Sequence, residues 1–480
     1  MAVTRSTRVL SVLAAGSLAF TSAAPAAAQP SSPPTSSEAG ESMATPPPLP
    51  PNTRTPVDTG EPDENYTAKT TCVTSKGSTV PLEYKPWGQD VLRFDEIAKF
   101  ATGKGQKVAV IDTGVDPHTY FQNRLEGGGD YVKKEHRGLE DCDGHGTEVA
   151  GIIAANPRND SIGFRGIAPD AGIVSIRQSS ANYEFKDTKT NQSKAAGNLG
   201  TLAQAIVRAA NTPGVTVINM SVDSCRPASA GRIFDPEREV QAALRYAVEE
   251  KDVVPVASAG NLPERDCKEQ NSSDPKNPTQ IVIPPWFSDY VLSVAAMSKD
   301  GSVAEFSMTG PWVSVAAPGT EIISLDPANA TGLANQTVDD KGNAQPIQGT
   351  SFAAPYVAGL AALVRERFPD LTARQVMDRI KSTASHPAAK NGHDNLVGHG
   401  MINPVAALTA FIPAEENIPP DKPLDVPFEM PAPYERNWTP MQVAMIGSGG
   451  GLGLLLLTLF VVHTVKRNRR EEEEKPRPRT

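Results

Sequence analysis

The sequence predicts a three-layer αβα domain built on a mostly parallel central sheet, with one further helix near the C-terminus that crosses a membrane. Three observations carry this reading. Between residues 107 and 384, short β-branched runs alternate with helix-periodic runs, the pattern of a parallel sheet covered on both faces. Met441 to Val462 is apolar or small apart from Gln442, and long enough to span a bilayer. Proline clusters at both ends of the alternating region, which marks linkers rather than core.

The N-terminus begins with Arg5 and Arg8, an apolar run from Val9 to Phe20, and Ala26-Ala27-Ala28 before Gln29. That order predicts a signal peptide over 1–28; as a retained anchor the run is too short to span comfortably. Residues 29–84 read as a Pro-rich N-terminal extension packed on the following domain. Up to about residue 60 it has too few large apolar side chains for a core of its own, and is expected to be disordered or extended. Asp95 to Phe100 reads as a short helix.

The domain proper, 85–411, then takes up its rhythm. Strands are expected at Lys107–Asp112, Gly172–Arg177, Val215–Ser221, Val253–Asn261, Tyr290–Met297 and Trp312–Ala317. Helices are expected at His145–Ala155, Thr201–Ala210, Glu239–Asp252, Ser351–Phe368 and Thr372–Ala384. Long polar loops fall at Gln178–Asn198, Asp223–Pro236, Leu262–Thr279 and Asp326–Gln345; such lengths are more often functional than neutral. A Pro-rich stalk over 412–440 leads to the membrane helix, 441–462, and a tail, 463–480. Lys466, Arg467, Arg469 and Arg470 assign that tail to the cytoplasm, because Glu471 to Glu474 count little in orientation. The expected location is therefore the cell membrane, single-pass and type I, with the domain outside. A net charge of -9 without a large basic block argues against nucleic acid as a partner. Four cysteines suit an exported chain and allow three pairings.

The stretch Gly349-Thr350-Ser351-Phe352-Ala353-Ala354-Pro355 opens a helix that is apolar on all sides and so must be buried. Read alone, Ser351 is either a cap or a nucleophile set at the positive end of a helix. Asp112 ends its strand in Val-Ile-Asp-Thr-Gly, His145 opens a helix in Asp-Gly-His-Gly-Thr, and Asn261 ends Val-Ala-Ser-Ala-Gly-Asn. A serine hydroxyl needs a base within hydrogen-bond reach, imidazole titrates near neutrality, and a carboxylate fixes its tautomer. Asn261 and the Ser351 backbone N–H are then the donors for an oxyanion. Singly, each residue could be a turn former or a helix cap; in one sequence they compose a catalytic set. The remaining histidines, His118, His136, His386, His393, His399 and His463, lack such surroundings and are expected at the surface.

The order Asp, His, Ser in Val-Ile-Asp-Thr-Gly, His-Gly-Thr-x-Val-Ala-Gly and Gly-Thr-Ser-x-Ala-Ala-Pro resembles the subtilisin-like serine proteases over roughly residues 85 to 410. The resemblance implies a subtilisin-like αβα fold and Asp112, His145 and Ser351 as the triad of a serine endopeptidase. It implies Asn261 as oxyanion donor, no cofactor and no catalytic metal. It also implies a substrate pocket lined by Asn219 to Val222, with Ser221 and Val222 foremost, and by Ser258, Ala259 and Gly260, with Pro284 and Pro285 near its base. The sequence departs from the family at two places. Asp223 and Ser224 stand where Gly-Gly is frequent, so the cleavage preference does not carry over. Glu148 stands where many relatives have histidine and reads as a first-turn acid rather than a catalytic group.

The layout of leader, extension, domain, stalk, span and basic tail is similar to the mycosins, membrane-anchored proteases of type VII secretion. That likeness implies secreted protein substrates and a membrane secretion complex as partner. The pairing expected for the cysteines is Cys72 with Cys142, pinning the extension beside the base, and Cys225 with Cys267, joining two loops at the carboxyl edge of the sheet. The rival function is a structural subunit that uses the same fold as a scaffold. A lipase or esterase reading fails, because Ser351 lacks the Gly-x-Ser-x-Gly elbow.

Overall fold

The computed structural model describes residues 43–73, 84–159, 161–230, 233–263, 267–271, 274, 276–338, 343–416, 418 and 438–473. The expected signal peptide, the first part of the extension, most of the stalk and the end of the tail lie outside the described residues. The chain divides into two compact units, Met1–Ile418 and Pro419–Thr480.

In the first unit the extension contributes β1 (Thr67–Ala68), and α1 (Trp87–Val91) and α2 (Phe94–Ile97) lead into the domain. There follow β2 (Lys107–Asp112), β3 (Leu125–Asp130), α3 (His145–Ala154), β4 (Gly172–Arg177), β5 (Ser180–Lys186), β6 (Ser193–Ala196), α4 (Leu199–Asn211), β7 (Val215–Met220) and β8 (Ser224–Pro227). The remainder is α5 (Asp235–Arg245), β9 (Val254–Ser258), β10 (Gln280–Ile283), β11 (Leu292–Met297), β12 (Val315–Pro318), α6 (Thr350–Arg367), α7 (Ala373–Ser382) and α8 (Pro404–Thr409).

Seven strands form the central sheet in the order β12-β11-β9-β7-β2-β4-β3. Every neighbouring pair in it is parallel. Both faces are buried, as the β-branched runs require. One face packs on α3 and α6 through Val108, Val110, Ile173, Val256 and the alanines of α6. The other packs on α4 and α5 through Ala109, Ile111, Ile218, Leu202 and Leu244. This is the expected three-layer sandwich, and it sets the carboxyl ends of β2, β7 and β9 along one edge, where ligands bind in such sheets.

Some expectations need correction. The edge strand β3, Leu-Glu-Gly-Gly-Gly-Asp, carries three glycines and no apolar alternation, so periodicity passed over it. The loop expected at Gln178–Asn198 folds into β5 and β6, which form an antiparallel three-stranded sheet with β1 of the extension. The loop at Asp223–Pro236 contains β8, paired with β10, and Asp326–Gln345 contains short antiparallel strands. Of these, β1 and β8 pair with segments far along the chain, and the strands within Asp326–Gln345 are only two or three residues long.

Between residues 43 and 73 the extension is held by the domain. Its carbonyls and carboxylates borrow donors from the domain. Trp286 Nε1 donates to Met43 O at 2.9 Å, Gln241 Nε2 to Pro47 O at 3.0 Å and Tyr131 OH to Asp58 Oδ1 at 2.7 Å. Arg208 pairs with Asp58 at 2.8 Å, and a disulfide joins Cys72 to Cys142.

The second unit is α9 (Thr439–Glu473), within which Thr439–Arg470 is long and apolar enough to cross a membrane, its most apolar stretch having a mean hydropathy of 2.0.

Candidate active site

Asp112 is the last residue of β2 and wholly buried. His145 is the first residue of α3, and two features bring them together. Gly146 lets the helix close on the strand end, since a Cβ there would lie 2.0 Å from Gly114 O and 3.1 Å from Asp112 Cβ. Asp141 anchors the start of the helix, accepting from Gly144 N at 2.8 Å and from Thr147 N at 2.8 Å. His145 Nδ1 meets Asp112 Oδ1 at 2.6 Å, and the same oxygen accepts the Thr113 N–H at 2.8 Å. The other imidazole edge faces the cleft, the side chain being 29% exposed. Burial disfavours the charged imidazole, but the Asp112 carboxylate and its hydrogen bond outweigh that, and the pKa is raised above its ordinary value.

Ser351 is the second residue of α6, with Gly349 at the N-cap in a positive-φ conformation (152°). It is therefore not the cap, and its N–H is one of the helix's unpaired first-turn donors. Pro355 lies four residues further on and supplies no N–H to the Ser351 carbonyl. That carbonyl accepts instead from Ser221 Oγ at 2.7 Å, just beyond β7, and Asn219 Nδ2 supports Ser221 at 2.9 Å. The proline thus frees the bond that fastens the cleft wall to the serine. Phe352 packs on the His145 ring, centroids 5.1 Å apart. Asp112, His145 and Ser351 all line one cleft of about 580 Å³. Ser351 Oγ makes no hydrogen bond to His145 among the described residues, and such contacts tighten when substrate binds.

Asn261 follows β9. Its Oδ1 accepts from Thr350 N at 2.8 Å and Thr350 Oγ1 at 2.9 Å, which fixes the amide plane and turns Nδ2 away from Thr350. Ser221 and Val222 line the cleft beside Ser351. Ser258, Ala259 and Gly260 are buried and do not line the cleft among the described residues; Ser258 Oγ donates to Asp223 Oδ2, a lining residue, at 3.4 Å. Pro284 and Pro285 are buried just after β10, the partner of β8.

Asp223, Cys225 and Cys267 group their side chains as metal ligands would. Both sulfurs, however, are joined in the Cys225–Cys267 disulfide and offer no thiolate. Glu148 sits in the first turn of α3, as expected, but buried: desolvation raises its pKa well above the usual carboxyl range, against the attraction of His145. Asp141 is pushed up to about 7 by the same burial. His118 is not at the surface; it is 5% exposed and bonded to Tyr120 N and Gly332 O. Sequence reasoning passed over Thr350, which acts on Asn261 from another segment, and Asp141, which holds the start of the helix that follows it together with the Thr113 hydroxyl.

This fold and cleft are those of a peptidase with a serine at a helix mouth, and the comparisons agree. Residues 103–400 match the subtilase family, and the chain belongs to that family as a serine endopeptidase. Within it, the likeness to the mycosins runs through most of the chain. Mycosin-1 of Mycobacterium tuberculosis is 41% identical over 435 residues, covering 86% of this chain and 93% of its own. The structure of MycP1, a serine protease described as an essential component of the type VII (ESX-1) secretion system, matches with a TM-score of 0.69 and 42% identity; the match covers 76% of this chain and all of that one. A chain of an intact ESX-5 inner membrane complex matches with a TM-score of 0.68 and 38% identity, covering 88% of this chain and 98% of that one. With its apolar C-terminal helix, the chain is a membrane-anchored peptidase.

Proposed function

We propose that Asp112, His145 and Ser351 are the catalytic triad and that Asn261, with the Ser351 N–H, forms the oxyanion site. The observation that carries this is the 2.6 Å bond from His145 Nδ1 to buried Asp112, in a cleft that Ser351 also lines. His145 Nε2 takes the proton as Ser351 Oγ adds to the peptide carbonyl, and Asp112 steadies the imidazolium. The same imidazole then returns the proton to the leaving amine. Stabilisation of the oxyanion by a fixed amide and a helix-end N–H needs no reorganisation at the moment of reaction.

The domain works outside the cytoplasm, exported by a leader cleaved after Ala28, on secreted proteins delivered by a type VII secretion complex. The chain spans the membrane once, with residues 463–480 inside. The basic run after the apolar helix supports the orientation, and the matched inner membrane complex supports the partner. The extension is a clasp rather than an inhibitor. It binds α4, α5 and the 182–184 edge, and no described residue of it lines the cleft.

Ser351→Ala in the full-length chain tests the assignment. Cleavage of secreted proteins should fall by about 10⁶-fold, the scale known for the corresponding loss in subtilisin; cleavage that persists would refute the triad. The likeness to a subunit of a membrane complex keeps a scaffold role in view, and secretion that survives in this variant would assign it.

A further inference from the structure

We infer that Asp141 is a positioning residue of the triad, one that sets the strength of His145 as a base through the Thr113 hydroxyl. The inference rests on the triad reading above and deepens it.

Asp141 is 5% exposed, and each of its oxygens accepts two hydrogen bonds. Oδ1 accepts from Gly144 N and Thr113 Oγ1, both at 2.8 Å; Oδ2 accepts from Thr147 N at 2.8 Å and Thr147 Oγ1 at 2.7 Å. A buried carboxylate holds its charge only with such a set of donors. Thr113 follows Asp112 directly, and its hydroxyl lies between two carboxylates, 2.8 Å from Asp141 Oδ1 and 3.3 Å from Asp112 Oδ1. The same hydroxyl accepts the Gly146 N–H at 3.0 Å. It carries one hydrogen, and the distances give that hydrogen to Asp141. Asp112 Oδ1 is then left to the Thr113 N–H and to His145 Nδ1, and Asp112 Oδ2 has no hydrogen-bond partner among the described residues. A carboxylate that shares its charge among few donors holds the imidazolium most strongly.

The arrangement changes when Asp141 takes up a proton, because that proton must displace one of the donors. The Gly144 and Thr147 N–H groups are fixed by the backbone, whereas a hydroxyl turns. Thr147 Oγ1 has no other acceptor among the described residues, but the Thr113 hydroxyl has Asp112 Oδ1. Asp141 then donates to Thr113 Oγ1, Thr113 donates to Asp112 Oδ1, and this added donor weakens the hold of Asp112 on His145. The titratable groups facing the pair are Asp112 at the end of β2, Asp116 in the turn beyond it, Asp143, His145 and Glu148 around the start of α3, and Asp326 in the loop beyond β12. Burial brings Asp141 up to about 7, so the exchange falls near neutrality.

The pH dependence of fluorophosphonate labelling in the full-length protein tests this, with kcat and KM on one peptide measured alongside. In Asp141→Asn an amide stands in for the neutral acid. The midpoint of the limb should fall by about one pH unit and the plateau and kcat by about tenfold, with KM within about twofold. Part of that shift is the lost charge itself, which acts in any background, so the part carried by the hydroxyl is read by difference. In a Thr113→Val background the shift caused by Asp141→Asn should shrink to less than about half, and in Thr113→Ser, which keeps the hydroxyl, it should be full. Midpoints do not depend on the fraction of folded enzyme, and Asp141→Ser carries the same comparison if the amide does not fold. An equal shift in the Thr113→Val and wild-type backgrounds, or none in either, overturns the inference and leaves the triad standing. Labelling that proceeds unchanged in His145→Ala removes the base itself, and both readings fall together.

Discussion

Thr350→Val separates the aiming of the oxyanion donor from its presence. Valine keeps the shape of Thr350 but removes Oγ1, which donates to Asn261 Oδ1 at 2.9 Å and accepts the Gly260 N–H at 3.2 Å. The Thr350 N–H still holds Asn261 at 2.8 Å, so the amide loses one of its two tethers to Thr350. The lost hydrogen bond is worth about 1 kcal/mol, and the buried Gly260 N–H left without its acceptor costs about 1–3 kcal/mol. Stability should therefore fall by about 2–4 kcal/mol, measured by denaturant unfolding. Loss of the whole donor costs about 10²–10³ in kcat in the corresponding subtilisin variant, so loosening it should cost about tenfold, with KM little changed. Steady-state kinetics on one peptide, for Thr350→Val, Asn261→Ala and the double variant, give a cycle. Once Asn261 is gone, Thr350→Val should cost almost nothing more. An equal tenfold loss in the Asn261→Ala background would refute the claim that Thr350 acts through Asn261.

His145 must be neutral to act as base and its pKa is raised, so kcat/KM should climb with pH along a limb centred above 6.5; Asp112→Asn should lower both the midpoint and, by about 10⁴-fold, the plateau. The stability contribution runs the other way: it is full below the unfolded imidazole value and lost as pH rises through the raised one, a limb centred at or below 6.5 being the result that sinks this reading. Replacing Cys72 and Cys142 together by serine opens a loop spanning 70 positions and should cost about 4 kcal/mol of stability. Peptide turnover should stay within about threefold, because the described extension does not line the cleft; a large rise would show that the extension inhibits.

Much of the site was legible because its residues sit in contiguous patterns that obey local rules. Val-Ile-Asp-Thr-Gly is a buried strand ending in a carboxylate whether or not one knows what it meets. The apolar helix after Ser351 had to be buried, and the alternation of strand and helix implied a parallel sheet. Other parts depended on partners far away in sequence. β1 exists only because β5 offers an edge, 117 positions from Thr67 to its partner Glu184. Asp141, Glu148 and His118 look like surface residues in any local window, and only packing makes them buried.

The sequence by itself determined the fold class, the residue types proposed as nucleophile, base and carboxylate, and the presence of a helix long and apolar enough to span a membrane, since those follow from residue type and period. Tertiary structure alone decided that Asp112 lies 2.6 Å from His145, that Thr350 orients Asn261, and that Asp223 turns toward Ser258 rather than solvent. The physical reason is range. Hydrophobic period and helix-end chemistry act within a few residues, whereas hydrogen bonds and charge act between side chains that only the folded sheet brings to one edge.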